Sequence, residues 1–445
     1  MQFRKNNINL FSTTLSAAFT TLIAAASLDS AATEFIVTKT IDSFDGICDS
    51  DCSLREAIET ANQNSGNHFI KLSSGTYELT IPSPSEADDD IDLDTSNSIG
   101  DLDIRNDITI TGKKDGSTVI NAGELSRHFT VYQNSSLTLK HLQLINGFTS
   151  FHGGSISNSG SVKIENCLLK NNLAISYWHR NYGGAIANWG TLTIQRTEFI
   201  NNTTAAGPGE YDYAFGGAIY NFKTMTIRDS AFRSNRATTD GPYGLGGAIY
   251  NHGITDVGRS VFIGNSTKDG GMAIYNAGTA NLSNITISKN RTESSGLAGA
   301  LQNEETLTLI NSSIVDNNPG AGLYSFSDTQ IRNSIILNNN GDTPINCYNQ
   351  YTFYPFKTRG LLLGGGNTQC EGDIYVADSE TFTRVLAPLA QNNYHLESHA
   401  LLPNSPAIDA GIGSCSAHDQ RWQPRPVDGN SDGVALCDLG AFELQ

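Results

Sequence analysis

Beyond residue 32 the chain has no apolar run long enough to cross a bilayer, which takes about 20 mainly apolar residues. Helix punctuation is almost missing too, so a helical bundle is excluded. Positive charge is scarce: 28 Lys and Arg stand against 45 Asp and Glu, a net charge of −17. Such a surface repels nucleic acid and anionic lipid, and disfavours a polyanionic substrate. The seven cysteines form no Cys-x-x-Cys pair and no clustered His accompanies them. A zinc site built from them is therefore not expected.

The segment 1–32 is the exception in hydropathy. Arg4 and Lys5 precede an apolar middle from Leu15 to Ala26, with small residues at Ser30 and Ala32. That is the layout of a secretory signal cut after Ala32. Its removal takes away Arg4, Lys5 and Asp29, leaving 26 basic and 44 acidic residues and a net charge of −18. In an exported chain cysteines pair. The partners closest in sequence are Cys48 with Cys52, Cys347 with Cys370 and Cys415 with Cys437, leaving Cys167 over.

What the chain has in abundance is Gly, 43 in all, together with Asn, Ser and Thr. These fall into a repeat. "GGAIANWGTLTIQRTEFINN" (183–202) returns at 216–235 and 246–265, with looser copies at 153–172, 270–290, 298–317 and 320–339. The closing Asn residues, 172, 202, 235, 265, 290, 317 and 339, are unevenly spaced. Once the segments between each closing Asn and the next copy are set aside, the copies are of nearly constant length. A fixed frame with insertions at one corner, built from three short strand runs and no room for a helix, stacks only as a parallel β-solenoid. Each coil advances about 4.8 Å. The expected organisation is an N-terminal cap over 33–105, the parallel β-helix over 106–340 and a C-terminal module over 341–445.

A solenoid end exposes apolar side chains and needs a lid. "CDSDCSLREAIETANQN" (48–64) supplies one, with Ser53 and Glu56 as a capping box and Leu54, Ala57, Ile58 and Ala61 as an apolar stripe. A Cys48–Cys52 disulfide would pin its entry.

Columns of the repeat carry separate meanings. Leu169, Phe199, Phe232, Phe262, Ile287, Ile314 and Ile336 form the core stack. Asn158, Asn188, Asn221, Asn251, Asn276 and Asn303 form one ladder and the closing Asn residues another. The sequons at Asn202, Asn265 and Asn290 therefore read as ladder rungs rather than glycosylation sites. Cys167 shares a column with Thr197, Ser230 and Ser260 and reads as an inert buried thiol. Ser157, Ala187, Tyr220, Tyr250, Tyr275, Gln302 and Tyr324 are read as outward. The tyrosines there serve either as stacked stabilisers or as a platform for sugar rings.

Three successive copies carry long insertions, 173–182, 203–215 and 236–245. Leaving at one corner, they are expected side by side, gathering Tyr177, Trp178, His179, Arg180, Tyr182, Glu210, Tyr211, Asp212, Tyr213, Asp240 and Tyr243. With Tyr220 and Tyr250 these form the candidate ligand-binding set for a neutral glycan or a protein partner. Asp428, Asn430 and Asp432 resemble the start of a calcium loop, with Asp438 or Glu443 standing in for the missing twelfth-position Glu. The Asp-rich run 88–104 raises the same question of Ca²⁺ less specifically.

"CSLREAIETAN" resembles the segment that names the CSLREA-domain proteins of bacteria. "GGAI…FxxN" is similar to the repeat of polymorphic outer membrane proteins, and "LAPLAQNNYHLESHALLPNSPAIDAG" with "DQRWQPRP…CDLGAFE" resembles the C-terminal module of choice-of-anchor proteins. The resemblance implies a right-handed parallel β-helix of the pectin-lyase type, exported and surface-held, without a known activity. Two departures stand out: the chain stops at Gln445 after "GAFE", which favours release or non-covalent retention, and Trp422 replaces the Gly often found after "DQR".

A non-catalytic, adhesin-like protein is one functional reading; a polysaccharide lyase or glycoside hydrolase on the same scaffold is the other. Lyases of this fold need a basic residue, and hydrolases paired carboxylates. The outward column holds no charged residue, so a catalyst would come from Glu210, Asp212, Asp240, His179 or Arg180. A plain structural spacer is the third possibility, for which the insertions would be superfluous.

Overall fold

The computed structural model describes residues 32–82, 97–176, 180–209, 212–241, 243–293, 298–339, 345–351, 353, 356–365 and 369–445. The leader, Asp88–Asp94, and the insertion residues Tyr177, Trp178, His179, Glu210 and Tyr211 lie outside them. All pairing between the strands is parallel, and residues one coil apart sit in register, as in Leu169↔Phe199, Phe199↔Phe232 and Phe232↔Phe262. The chain is a right-handed parallel β-helix. Among the described residues no helix is long and apolar enough to cross a membrane.

One winding shows what keeps the frame constant. A strand such as Ile186–Asn188 ends on a ladder Asn, a turn leads to Thr191–Gln195, and a two-residue corner leads to Glu198–Ile200. The corner needs a left-handed residue, and Asn166, Arg196, Asp229, Arg259, Asn284, Asn311 and Asn333 all take φ between 46° and 54°. Most are Asn or Asp, the non-glycine residues that tolerate this region best. The Gly-Gly opening each copy is equally constrained. Gly183 has φ of 68°, and a Cβ on Gly184 would stand 2.2 Å from the Gly217 carbonyl oxygen of the next coil.

Inside, the expected core column is fully buried. Phe199, Phe232 and Phe262 stack at 4.8 Å with nearly parallel rings. The first asparagine ladder runs from Asn158 to Asn303 through side-chain bonds of 2.6 and 2.7 Å. The second runs from Asn172 to Asn346 and ends on the Asp378 carboxylate. Asn202, Asn265 and Asn290 are completely buried rungs. Cys167 is buried and free, and burial pushes its thiol up to about 12.

The lid forms as its sequence dictates. The helix Leu54–Gln63 carries the Ser53–Glu56 capping box, and Leu54, Ala57, Ile58 and Ala61 face the core. Arg55 on the same helix is also wholly buried, which an apolar stripe does not foretell. Its guanidinium pairs with Asp42 at 2.8 Å and donates to the Gly100 carbonyl at 2.9 Å, so it plugs the coil end. The three expected disulfides are present.

The stack extends past both expected borders. Thr33–Ile36 already pairs with Asn67–Lys71, and Cys347–Asn349, Lys357–Gly364 and Ile374–Val376 continue the coils. The remaining tail does not prolong the axis but lies along the flank. His399 meets Ser288, Gln420 meets Thr286, and Ala441 donates to Ser313. Trp422 finds its purpose here: its indole N–H donates to Asp229 at 3.0 Å and Arg259 lies 3.8 Å over its ring.

Candidate functional site

Among the described residues the insertions form arms of paired strands. Their outgoing strands Leu173–Ser176, Thr203–Ala206 and Arg236–Thr239 pair coil to coil, and so do the returning strands Asn181–Tyr182, Tyr213–Phe215 and Tyr243–Leu245. The expected gathering along one edge is therefore present for the described members of the set. Small residues explain how each arm closes. Ala174, Thr204, Ala206, Ala214 and Ala237 are buried inside, and a Cβ on Gly244 would meet the Ala237 carbonyl oxygen at 2.6 Å.

The returning strands carry aromatic side chains in register. Tyr182 stacks on Phe215 at 5.6 Å and Tyr213 on Tyr243 at 5.6 Å. Arg180, exposed, lies 5.1 Å over the opposite face of Tyr213. These rings lean onto the tyrosine column of the coil beneath, where Tyr220, Tyr250 and Tyr275 stack at 5.5 and 5.1 Å. Tyr182 touches Tyr220 at 4.4 Å and Phe215 touches Tyr250 at 4.6 Å.

That contact corrects the expectation of an outward tyrosine platform. Tyr220 is 7% exposed and Ala187 fully buried, because the arms fold back across the column. Burial raises the Tyr220 phenol and pushes Tyr250 up to about 12; Tyr275, raised too, lies 2.7 Å from a Glu304 oxygen. The column is packing beneath the ridge. Asp212 is a second correction. It is 4% exposed and its carboxylate accepts the Gly209 N–H at 2.9 Å, so it closes a turn of its arm. Asp240 and Tyr243 remain exposed.

Residues not singled out by the sequence complete the surface. Trp189, Phe222 and His252 each follow a ladder Asn, and Phe222 stacks on His252 at 5.1 Å. The repeat frame carried that signal as a further column. At the far end of the ridge lies an open polar groove of about 550 Å³, lined by Arg236, Thr238, Asp240, Lys268, Asp269 and Glu293. Arg236 pairs with Glu293 at 2.6 Å, and the Lys268 ammonium donates to the Gly241 carbonyl. Asp269 accepts the Gly244 N–H at 3.0 Å, and burial raises its carboxyl above the usual range.

The side chains expected as calcium ligands at 428–432 are engaged by backbone N–H groups of a single turn. Asp428 accepts the N–H groups of Asp432 and Gly433, Asn430 that of Asp432, and Asp432 that of Val434, all within their own turn. Asp438 is buried on the N–H groups of Asp409 and Leu444, its carboxyl raised to about 6, and neighbouring Glu443 is raised to about 7. Desolvation is the main cause in both. Among the described residues no three His, Cys, Asp or Glu side chains gather to hold a metal ion.

No family model matches the chain, and no curated protein matches it. Among solved structures it is similar to the crystal structure of pectate lyase Pel9A, at 14% identity and a TM-score of 0.39, over 93% of this chain and 96% of that one. The β-helix assignment rests on this chain's own strand pairing.

Proposed function

We propose that the protein is an exported, non-catalytic β-helix that contacts a glycan through the ridge made by its three insertions. The observation that carries the reading is the gathering of Arg180, Tyr182, Tyr213, Phe215 and Tyr243 from three sequence-distant insertions on one edge, in register. Aromatic rings beside carboxylates, a lysine and an arginine suit a hydroxyl-rich ligand. Export is supported by three disulfides and by the leader-like segment 1–32. The CSLREA-like and choice-of-anchor-like motifs point the same way, toward a cell surface.

A glycan array combined with assays for reducing ends and unsaturated products tests this. The expected result is binding without turnover, weakened in the Arg180→Ala, Tyr213→Ala double variant. Turnover of any polysaccharide would replace the binding role by a lyase or hydrolase. Binding to surface proteins with no glycan retained would move the ligand class to protein.

A further inference from the structure

Rings stacked on each other hide the surfaces that a sugar uses. The C–H groups of a pyranose pack against the negative face of an aromatic ring, not its edge. In the ridge, Tyr213 is covered by Arg180 on one face and by Tyr243 on the other. Tyr250 is held likewise between Tyr220 and Tyr275. Tyr243 is the last rung of its column. It is 51% exposed, and no described ring stacks on its far face.

The reason lies in the chain lengths. The insertion 236–245 has ten residues, whereas the next connector, 266–269, has four. Ser266 and Thr267 pair with Arg236 and Ala237, and Gly270 pairs with Leu245. Between these contacts the short connector cuts across the base of the arm, with Asp269 donating its N–H to the Gly244 carbonyl at 3.0 Å. The 550 Å³ groove lies at this step, where the two lengths part: Arg236, Thr238 and Asp240 of the third arm line it with Lys268 and Asp269 of the short connector, and Tyr243, three residues on from Asp240, stands outside its lining.

The groove's charges narrow the ligand. Arg236 is tied to Glu293, the Lys268 ammonium to a carbonyl, and Asp240 stays exposed. Two cations against three carboxylates, in a chain of net charge −17, disfavour an anionic sugar. Carboxylates accept hydroxyl protons and the ammonium donates to hydroxyl oxygens, a lining for a neutral saccharide. We infer that this step is a subsite for a neutral saccharide, one ring stacking on the open face of Tyr243 and its hydroxyls bonding to Asp240 and Lys268. The inference rests on the reading of the ridge as a glycan-recognition surface.

The test uses the full chain against immobilised neutral hexasaccharides of glucose, xylose, galactose and N-acetylglucosamine, with polygalacturonate as the anionic probe. Tyr243→Ala is expected to weaken binding about tenfold, the worth of one aromatic contact with its buried area. Tyr243→Phe should keep it, Asp240→Asn should weaken it several-fold, and Thr191→Ala, exposed on the strand Thr191–Gln195 away from the ridge, should leave it unchanged. Unaltered melting temperatures show that the variants are folded. Wild-type affinity in Tyr243→Ala, or tighter binding of polygalacturonate than of any neutral chain, overturns the subsite. Binding kept in Tyr243→Ala but lost in the Arg180→Ala, Tyr213→Ala variant overturns the step while leaving the ridge. Failure of the wild-type protein to bind any saccharide overturns both.

Discussion

Replacing one rung of the second asparagine ladder should cost far more than an ordinary substitution. Asn235 is fully buried. Its Nδ2 donates to Asn265 Oδ1 at 2.9 Å and to the Phe199 carbonyl at 3.0 Å. Its Oδ1 accepts the Asn202 backbone N–H at 3.0 Å and Asn202 Nδ2 at 2.9 Å. Asn235→Ala deletes all four bonds. Asn202 Nδ2 keeps the Leu169 carbonyl and Asn265 Oδ1 keeps the Asn235 N–H, so those two groups are only partly stranded. The Asn202 N–H loses its side-chain acceptor inside the stack, where water cannot replace it. At roughly 1 kcal/mol net for each of the four bonds the expected loss is about 4 kcal/mol, and the stranded Asn202 donor adds to it. Thr191→Ala, at an exposed strand position, should stay within about 0.5 kcal/mol. Urea unfolding followed by far-ultraviolet circular dichroism measures both. An Asn235→Ala midpoint equal to that of Thr191→Ala would refute the ladder as a source of stability.

Other expectations follow from single buried groups. Arg55→Met leaves Asp42 buried without its cation and should cost about 3–5 kcal/mol, seen as a lower urea midpoint and early proteolysis of the N-terminal coils. His128 is buried with its ring nitrogens on the Ile120 carbonyl and Ser155 Oγ, and desolvation lowers it from 6.5 to about 4. The unfolded chain therefore takes up this proton first as pH falls. The stability it confers is complete above about pH 6.5 and is lost toward pH 4. The lead of the wild-type protein over His128→Gln should shrink across that window by on the order of 3 kcal/mol, and a constant lead would contradict the buried neutral ring. The Cys167 thiol, pushed up to about 12, should resist iodoacetamide at pH 8 until the chain is unfolded; rapid labelling of the native protein would mean that the column is open.

The coil frame was legible in the chain because its closing Asn residues and core Phe and Ile residues recur at fixed positions within a copy of nearly constant length. The arms were legible for the same reason, since insertions at one corner of a constant winding must emerge together. What local pattern does not reveal is coverage by a distant segment. Tyr220 reads as outward from its own strand, but the returning strands of the arms bury it. The flank position of the tail, held by Gln420 and His399, depends on pairings more than a hundred residues apart. Arg55 lies off the apolar stripe of its helix, and only Asp42 and the carbonyls of residues 97–101 make it a plug. The extension of the stack to Val376 was hidden because "CYN" and "TRGLLLG" abandon the Gly-Gly signature while keeping the strand pairing.

The most direct measurement is a cysteine cross-link between the second and third arms. Tyr213 and Tyr243 are register partners on adjacent parallel strands, which places their Cα atoms about 4.8 Å apart, within reach of a disulfide. The Tyr213→Cys, Tyr243→Cys protein should close that bond under mild oxidation, with the buried Cys167 taking no part, whereas Tyr213→Cys with Asp328→Cys should not. Failure of the first pair to close, with the fold intact, would mean that the insertions do not meet, and the ridge with its ligand surface would be lost.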